Sequence, residues 1–333
     1  MSDVKLMAEN NKIYECEIGS FVYGTNIETS DHDYGGVFLP SKEFILGFER
    51  VEECDLSIKD KLENGKNSDK AIDRKLYEYR KFIKLVQENN PNIIEYLFVP
   101  DNQVLYINSY GKNIRDNKSM FLFKGLKQKF LGYAYAQKHK MIVKADHYNE
   151  LLDSLDFLDS LANEEEFLLQ VVLNKEHKSQ HKFQLNYRNN SNRKDVSYIS
   201  IADLSIQPSY SIKKAKSIIL ERVKNTTHRK ECYVKDKIDL KFGMHLVRLL
   251  IEGKELLETG NLIYPLQERK LLLDIRNGLL SIDDILNEVA KYEEFIKNET
   301  TTLLPSNPKY KEIQDFTMEE LSRWMVESGM VKK

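Results

Sequence analysis

Two acidic residues that follow a glycine–serine turn at a fixed distance constrain this chain more than any other feature. An apolar stretch over residues 13–18 leads into Gly19 and Ser20, and Asp31 and Asp33 follow after ten further residues. Side chains alternate along a strand, so a strand through Asp31 and Asp33 places both carboxylates on one face. Hard cations such as Mg²⁺ prefer carboxylate oxygens, and a glycine lets the backbone approach an anion closely. The spacing therefore predicts a site for metal ions and phosphate.

The context of the two aspartates supports this prediction against a simpler one. An Asp-x-Asp pair alone is common in a chain with 52 acidic residues, where it is more often a solvated loop. Here residues 34–39 predict a strand that leaves Asp33, and a strand, a glycine turn, a short helix and a carboxylate-bearing strand are the context that the motif requires. The same alternation directs His32 away from the two aspartates, toward packing rather than metal binding.

A third carboxylate from a neighbouring strand is expected to complete the metal site. Asp73 is the preferred candidate, because it comes just before a strong helical pattern over residues 77–89. Asp55, in an acidic strand that no helix follows, is the alternative. Asp60 is the least favoured, since residues 59–70 are polar, charged and interrupted by glycine, which predicts an exposed hairpin or loop.

Five stretches carry a resemblance to a known family. They are GSFVYG, SDHDYGGVFLP, RKFIKLVQENNPNIIEYLF, FLGYAYAQKHK and DLKFGMHLVRLLIEGKELLETGNLIYPLQERKLLLDIRNGLLS, beginning at residues 19, 30, 80, 130 and 239. Together they resemble the RNA-repair-associated polymerase β-like nucleotidyltransferases of bacteria and large phages. The resemblance covers residues 12–140 and 233–298, and residues 145–232 look like a less typical insertion. The Gly-Ser and Asp-x-Asp motif is specific to the superfamily, and the Asn-Pro and Leu-Glu-Thr-Gly blocks narrow it to this family.

The resemblance implies a fold, an activity and a set of site residues. The implied fold is α/β (α+β): a polymerase β-like domain with a mixed sheet, a helical insertion and a C-terminal helical bundle. The implied activity is metal-dependent transfer of a nucleotidyl group from an NTP, such as ATP, to a hydroxyl, with release of pyrophosphate. Gly19 and Ser20 then hold the nucleotide, and Asp31, Asp33 and Asp73 are catalytic and bind two Mg²⁺ or Mn²⁺ ions.

The acceptor of the nucleotidyl group stays open at the level of the sequence. An RNA 3′ end or a tRNA is the first candidate, because the family is associated with RNA repair. A protein side chain (AMPylation) or a small molecule is an alternative within enzymes. A non-catalytic nucleotide- or RNA-binding protein, or a partner that neutralises a toxin, is an alternative of another class. The presence of both Asp31 and Asp33 disfavours that last alternative.

The chain divides into three predicted parts. Residues 1–140 are expected to form the catalytic domain, and residues 141–232 an insertion that serves as an acceptor-binding module or as a plain structural elaboration. Residues 233–333 are expected to form a helical bundle and a tail, since helical patterns there end at successive glycines.

The predicted insertion has a mixed pattern and a basic character. The polar stretch 186–194 predicts a loop, and alternation over residues 196–206 predicts a strand or hairpin. Basic residues of the insertion, among them Lys213 and Lys214, suit contacts with an RNA backbone or an ordinary solvated surface.

A cationic face is predicted on the helix that begins near residue 239. Lys241, His245 and Arg248 fall at i, i+4 and i+7 and therefore share one side of that helix. A nucleotidyltransferase needs cations for the β- and γ-phosphates, so this face is predicted to bind the nucleotide. A solvated basic face is the alternative.

Charge, cysteine content and hydropathy bound the remaining functions. The formal net charge of −2 gives no global basic field for nucleic acid, so such contacts depend on local clusters. Three cysteines without metal-ligand spacing predict neither a disulfide framework nor a zinc site. No stretch approaches the roughly 18 consecutive apolar residues of a membrane span, and the predicted location is the cytoplasm of a bacterium or of a phage-infected host.

Overall fold

The computed structural model of the chain contains a five-stranded sheet, a three-stranded sheet and many helices. It describes residues 3–28, 30–60, 71–190, 193–226 and 240–331. The α/β class with a mixed sheet, predicted from the sequence, is confirmed. Within the described part of the chain, no helix combines the length and the apolar character that crossing a membrane requires.

The chain forms two compact units, and each is built from separate segments. The first comprises Met1–Tyr135, Leu246–Leu273 and Leu286–Lys333. The second comprises Ala136–His245 and Asp274–Ile285. The division into parts at residues 140 and 232 stays a prediction.

The secondary-structure elements are numbered here in chain order. The strands are β1 (Lys12–Ile18), β2 (Asp33–Phe38), β3 (Glu53–Asp55), β4 (Asp73–Glu78), β5 (Val104–Ile107), β6 (Gln184–Asn190), β7 (Arg193–Ile201) and β8 (Leu204–Ile206). The helices are α1 (Asp3–Asn10), α2 (Ser20–Tyr23), α3 (Lys42–Ile45), α4 (Tyr79–Gln87), α5 (Pro91–Ile94), α6 (Ser109–Asp116), α7 (Leu126–Asp159), α8 (Leu168–Leu173), α9 (Ile212–Thr226), α10 (Leu240–Thr259), α11 (Arg269–Arg276), α12 (Ile282–Asn298) and α13 (Tyr310–Glu327). Short 3-10 helices lie at Glu95–Phe98, Asp101–Gln103 and Lys118–Phe121.

The sheet of the first unit has the strand order β3-β4-β2-β1-β5. β2 and β4 run parallel, and the other neighbouring strands run antiparallel. Parallel neighbours cannot be joined by a tight turn, so the chain crosses over through residues 39–72, which include α3 and β3. Ile18, at the end of β1, is the register partner of Asp33, and Asp33 is the partner of Asp73. One edge of the sheet therefore collects the end of β1 and the starts of β2 and β4.

Helix α4 follows β4 directly and is fixed by its cap and its apolar face. The Glu78 carboxylate accepts a hydrogen bond from the backbone N–H of Lys81 at 3.0 Å, which satisfies a free donor of the first turn. Three apolar side chains at helical spacing are buried, namely Phe82, Ile83 and Val86. The helix predicted over residues 77–89 is observed with a later start, because residues 77 and 78 complete β4.

The last helix, α13, is tied to the rest of the first unit through polar contacts. The single tryptophan, Trp324, donates its indole N–H to the Pro40 carbonyl at 2.9 Å. The Tyr110 hydroxyl on α6 donates to Glu327 Oε2 at 2.7 Å, and the Arg323 guanidinium lies 3.9 Å from the centre of the Tyr110 ring. Trp324 therefore reports on the folding of the first unit.

The second unit is organised around its own apolar core. Strands β6, β7 and β8 form an antiparallel sheet in that order, and Ile199, Ile201 and Ile206 contribute buried side chains from it. The prediction of a loop over residues 186–194 is wrong, because β6 continues to Asn190 and β7 begins at Arg193. Backbone pairing with β7 makes this polar stretch a strand. The pairing could not be predicted from the polar composition of residues 186–194, because polar residues are depleted in strands.

Candidate active site

The starts of β2 and β4 bring two of the predicted site carboxylates together. Asp33 and Asp73 are the first residues of their strands and are register partners. Neighbouring strands lie about 4.8 Å apart, and register partners point to the same face of a sheet. Both residues line an open cleft of about 390 Å³ within the first unit. Asp73, the preferred third carboxylate, therefore lies next to Asp33.

The alternative third carboxylate, Asp55, reaches the same cleft from β3. Its register partner is Lys75, two residues after Asp73, so alternation puts Asp55 on the same face. Hydrogen bonds from Ser57, including one from its backbone N–H at 2.9 Å, lower the pKa of the Asp55 carboxyl. Because β4 lies between β2 and β3, Asp73 is nearer to Asp33 in strand order than Asp55 is.

Tyrosines and lysines also line the cleft. The sequence did not identify them as site residues. The remaining lining residues are Ile18, Tyr34, Ser57, Lys59, Arg74, Lys75, Tyr77 and Tyr96. The Tyr96 ring lies directly against β2, since a Cβ added to Gly35 would be 2.1 Å from its hydroxyl oxygen. Burial raises the pKa of Tyr96 well above its ordinary value, which keeps the hydroxyl protonated. Paired glycines inside a strand often mark such a close approach, and Gly35 with Gly36 was the available signal.

The turn at Gly19 lies against the Asp33 carboxylate. Gly19 has a φ of 77°, and a Cβ added there would be 3.0 Å from Asp33 Oδ2. Ser20, half-buried, begins α2 directly after this turn. Gly19 O accepts the backbone N–H groups of Val22 and Tyr23 at 3.0 and 3.1 Å. Glycine is required here both by the backbone conformation and by the neighbouring carboxylate.

Gly19→Ala is expected to impair the cleft beyond its effect on stability. Backbone strain alone should reduce the free energy of unfolding by about 1–3 kcal/mol, and the new methyl group should displace Asp33. The matched control is Gly329→Ala, where φ is 70° and no atom lies within 4 Å of an added Cβ. We expect both variants to lose stability in urea denaturation, but only Gly19→Ala to lose nucleotide binding in titration calorimetry. Equal nucleotide binding by the two variants would contradict the role given to the Gly19 turn.

Asp31 lies outside the strand that was predicted to carry it. β2 begins at Asp33, because its partner β1 ends at Ile18, immediately before the Gly19 turn. Asp31 is exposed, and the described residues that line the cleft do not include it. Its role as a metal ligand stays a prediction.

His32 lies just before β2 and is held by neighbours on other elements. Its ring stacks on Phe21 with 3.9 Å between ring centres, and its Nδ1 lies 2.5 Å from Glu17 Oε1. His32 therefore packs against Phe21 and Glu17, and it is not among the described residues that line the cleft.

The chemical type of the donors in the cleft fits a hard divalent cation. Asp33, Asp73 and Asp55 all offer carboxylate oxygens, which Mg²⁺ and Mn²⁺ prefer. Over the described ranges, however, no three His, Cys, Asp or Glu side chains converge closely enough to enclose a metal ion. The site residues assigned to two metal ions stay a prediction.

Arg248, predicted to bind the nucleotide, lies in a buried polar cluster of the first unit. Its side chain is only 4% exposed, and its Nη1 lies 3.0 Å from Glu95 Oε2 and 2.9 Å from both carboxylate oxygens of Glu252. Tyr23 donates its hydroxyl to Glu95 at 2.7 Å, and Tyr264 donates to Glu252 at 3.1 Å. These five residues are named the Arg248 cluster below.

The charges in the Arg248 cluster are strongly coupled. Burial raises the pKa of Glu95 to about 7 and also raises the pKa of Glu252, while the Arg248 charge opposes both shifts. The two carboxylates raise the pKa of Arg248, which stays charged. Lys241 and His245, the other members of the predicted cationic face, belong to the second unit. Nucleotide binding by these three residues stays a prediction.

Glu95→Gln is expected to change how stability depends on pH. The unfolded chain releases the Glu95 proton near pH 4.5, whereas the folded protein holds it up to about pH 7. Between these values the folded state binds more protons, so the free energy of unfolding of the wild type falls as pH rises. The glutamine variant should lose this decline, which is on the order of 3 kcal/mol.

Urea denaturation followed by Trp324 fluorescence between pH 5 and 8 measures this effect. Glu327→Gln is the matched control, because Glu327 also accepts a tyrosine hydroxyl but its side chain is 56% exposed. An unchanged pH profile in Glu95→Gln would contradict the prediction.

Comparisons with known proteins agree with the motifs and with the sheet. A family model described as "RNA repair pathway DNA polymerase beta family" matches residues 2–152. The chain is also similar to an enterobacteria phage T4 protein, described as an uncharacterized 38.9 kDa protein in the nrdC-mobD intergenic region. The two are 24% identical over 301 residues, which is 85% of this chain and 88% of the phage protein. No solved structure matches the chain significantly. The family resemblance inferred from the motifs is confirmed: residues 2–152 match the model of the RNA repair pathway DNA polymerase beta family.

Proposed function

We propose that the protein is a metal-dependent nucleotidyltransferase that moves a nucleotidyl group from an NTP to a hydroxyl and releases pyrophosphate. The observation that carries this proposal is the register of Asp33 with Asp73 on parallel strands, beside the glycine turn at Gly19. The match of residues 2–152 to a polymerase β family model supports the same class of activity.

Each part of the cleft has a role in this reaction. The backbone N–H groups at the start of α2 bind phosphate oxygens, and Gly19 leaves room for them. Asp33 and Asp73, with Asp31, hold Mg²⁺ or Mn²⁺, which when bound neutralises the triphosphate and acidifies the acceptor hydroxyl. The acceptor oxygen bonds to the α-phosphorus, and the bond between that phosphorus and the pyrophosphate oxygen breaks. Asp73 accepts the hydroxyl proton, and the electron pair leaves with pyrophosphate.

The acceptor that we propose is the 3′ end of an RNA or tRNA. The description of the matching family names an RNA repair pathway, which favours RNA over a protein side chain or a small molecule. Tyr77, Lys59 and Lys75 line the same cleft as Asp73. An aromatic ring and cationic side chains are the groups that contact bases and phosphates of single-stranded nucleic acid.

Transfer of label tests this proposal directly. The purified protein is incubated with each NTP, labelled at either the α- or the γ-phosphate, with Mg²⁺ or Mn²⁺ and with RNA, tRNA, protein or small-molecule acceptors. We expect the α-label to appear on RNA and the γ-label to appear in pyrophosphate. Transfer to a protein or small molecule would overturn the RNA acceptor alone. Absence of transfer from every NTP to every acceptor would overturn the enzymatic proposal, and NTP binding without transfer would then favour a non-catalytic nucleotide-binding protein.

A further inference from the structure

Helix α2 is too short to fix its own position. It spans four residues, and isolated helices shorter than about 12 residues are marginal in water. Its start carries Gly19 and Ser20, which the proposed function assigns to the nucleotide. Contacts with surrounding segments must therefore determine where this turn lies relative to Asp33.

Two backbone carbonyls of α2 are held by other segments of the first unit. Gln103 Nε2 donates to the Phe21 carbonyl at 3.1 Å, and the Leu266 N–H donates to the Tyr23 carbonyl at 3.3 Å. These bonds hold the backbone of the helix at its second and last residues. They leave the buried side of α2 to be held by side chains.

The Arg248 cluster supplies those side chains. Tyr23 reaches it from α2, and its ring centre lies 4.2 Å from the Arg248 guanidinium while its hydroxyl donates to Glu95. Glu95 lies in the 3-10 helix that follows α5, Arg248 and Glu252 lie on α10, and Tyr264 lies between α10 and α11. All five residues are buried, so water does not compete for these contacts.

We propose that the Arg248 cluster positions α2, and thereby the Gly19–Ser20 turn, for the nucleotide. Arg248 is then a positioning residue that acts through Tyr23 and Glu95. This inference rests on the proposed function for its consequence in catalysis, whereas the positioning itself is a property of the folded chain. A guanidinium that binds a triphosphate directly must present its nitrogens to the ligand. Arg248 instead directs Nη1 at two buried carboxylates.

The test compares Tyr23→Phe with Tyr110→Phe in the full chain. Both tyrosines are 4% exposed, donate to a glutamate at 2.7 Å and lie against an arginine, but only Tyr23 belongs to α2. Exchange of the backbone amide hydrogens at positions 22 and 23 reports on α2 without requiring activity. We expect exchange in Tyr23→Phe to be faster by about tenfold, which corresponds to the loss of one buried hydrogen bond. Tyr110→Phe should leave exchange in α2 unchanged.

Kinetics supplies the second readout. We expect Tyr23→Phe to raise the KM for the NTP about tenfold while kcat changes little, because the turn holds the nucleotide before and during reaction. Tyr110→Phe should alter neither value. Unchanged exchange in α2 of Tyr23→Phe would overturn the positioning role, whether or not the wild type transfers nucleotides. Faster exchange with an unchanged KM would overturn its link to nucleotide binding. If the wild type transfers no nucleotidyl group, the proposed function is overturned. The rate of amide hydrogen exchange in α2 would still decide whether the Arg248 cluster positions this helix.

Discussion

Asp33→Ala is expected to abolish nucleotidyl transfer and to leave the fold intact. A metal-bound carboxylate supports several kcal/mol of transition-state stabilisation, so turnover should fall by about 10³-fold or more. Asp33 begins β2 beside Asp73, and two adjacent carboxylates repel each other when no metal is bound. The thermal midpoint of the metal-free variant should therefore equal or exceed that of the wild type. Asp315→Ala, at an exposed position on α13, is the control for both measurements.

The same assay decides which residue is the third carboxylate. Asp73→Asn should lower kcat by orders of magnitude with little effect on NTP affinity, because Asp73 is assigned to the acceptor hydroxyl. Asp55→Asn should retain most of the activity, since β4 separates Asp55 from Asp33. If the asparagine at position 55 is the inactive variant, the role passes to Asp55. Near wild-type transfer by Asp33→Ala or Asp31→Ala would contradict the metal assignment.

Arg248→Ala is expected to produce the largest loss of stability. The substitution leaves the buried carboxyls of Glu95 and Glu252 without their cation, and removal of one partner from a buried ion pair costs about 3–5 kcal/mol. Urea denaturation followed by Trp324 fluorescence measures this loss in the first unit. Arg323→Ala is the matched control: Arg323 pairs with Glu320 and Glu327 and lies on a tyrosine ring, but its side chain is 34% exposed. Its loss should cost about 1 kcal/mol.

A compensated variant separates charge from packing in the Arg248 cluster. Replacing Arg248 by Met together with Glu95→Gln and Glu252→Gln removes the buried charges while keeping similar volumes. Such a replacement of a buried ion pair is often neutral or stabilising, so stability should return toward the wild-type value. A single Arg248→Ala variant as stable as Arg323→Ala would show that the buried charges are not coupled as described.

The sequence predicted turns and strands near the site better than it predicted which residues from distant parts of the chain lie next to each other. The turn at Gly19 follows from the conformational freedom of glycine, and the strand that leaves Asp33 follows from the pattern of residues 34–39. The pairing of Asp33 with Asp73 depends on a parallel crossover, and nothing in the residues near either aspartate specifies its register. The position of Asp31 before the strand depends on where β1 ends, which is again a property of the pairing.

Arg248 shows why spacing alone gave an incomplete picture of a helix. Cations at i, i+4 and i+7 share one face whether that face meets solvent, a ligand or buried acids. Glu252 follows Arg248 by four residues, a spacing at which opposite charges on a helix pair. That signal was available in the sequence. The contribution of Glu95, 153 residues away, was not.

The first unit is assembled from three separate segments of the chain. During synthesis, therefore, contacts between these segments form only after the later segments have been translated. Gly19 and Asp33 leave the ribosome early, but α2 contacts Arg248, Tyr264 and Leu266, which are made more than 200 residues later. Chains fold progressively as they emerge, so a nascent chain that ends at residue 152 contains the whole family-matched segment without these contacts. The Gly19–Ser20 turn therefore gains these contacts only after Leu266 has been made, long after the turn itself.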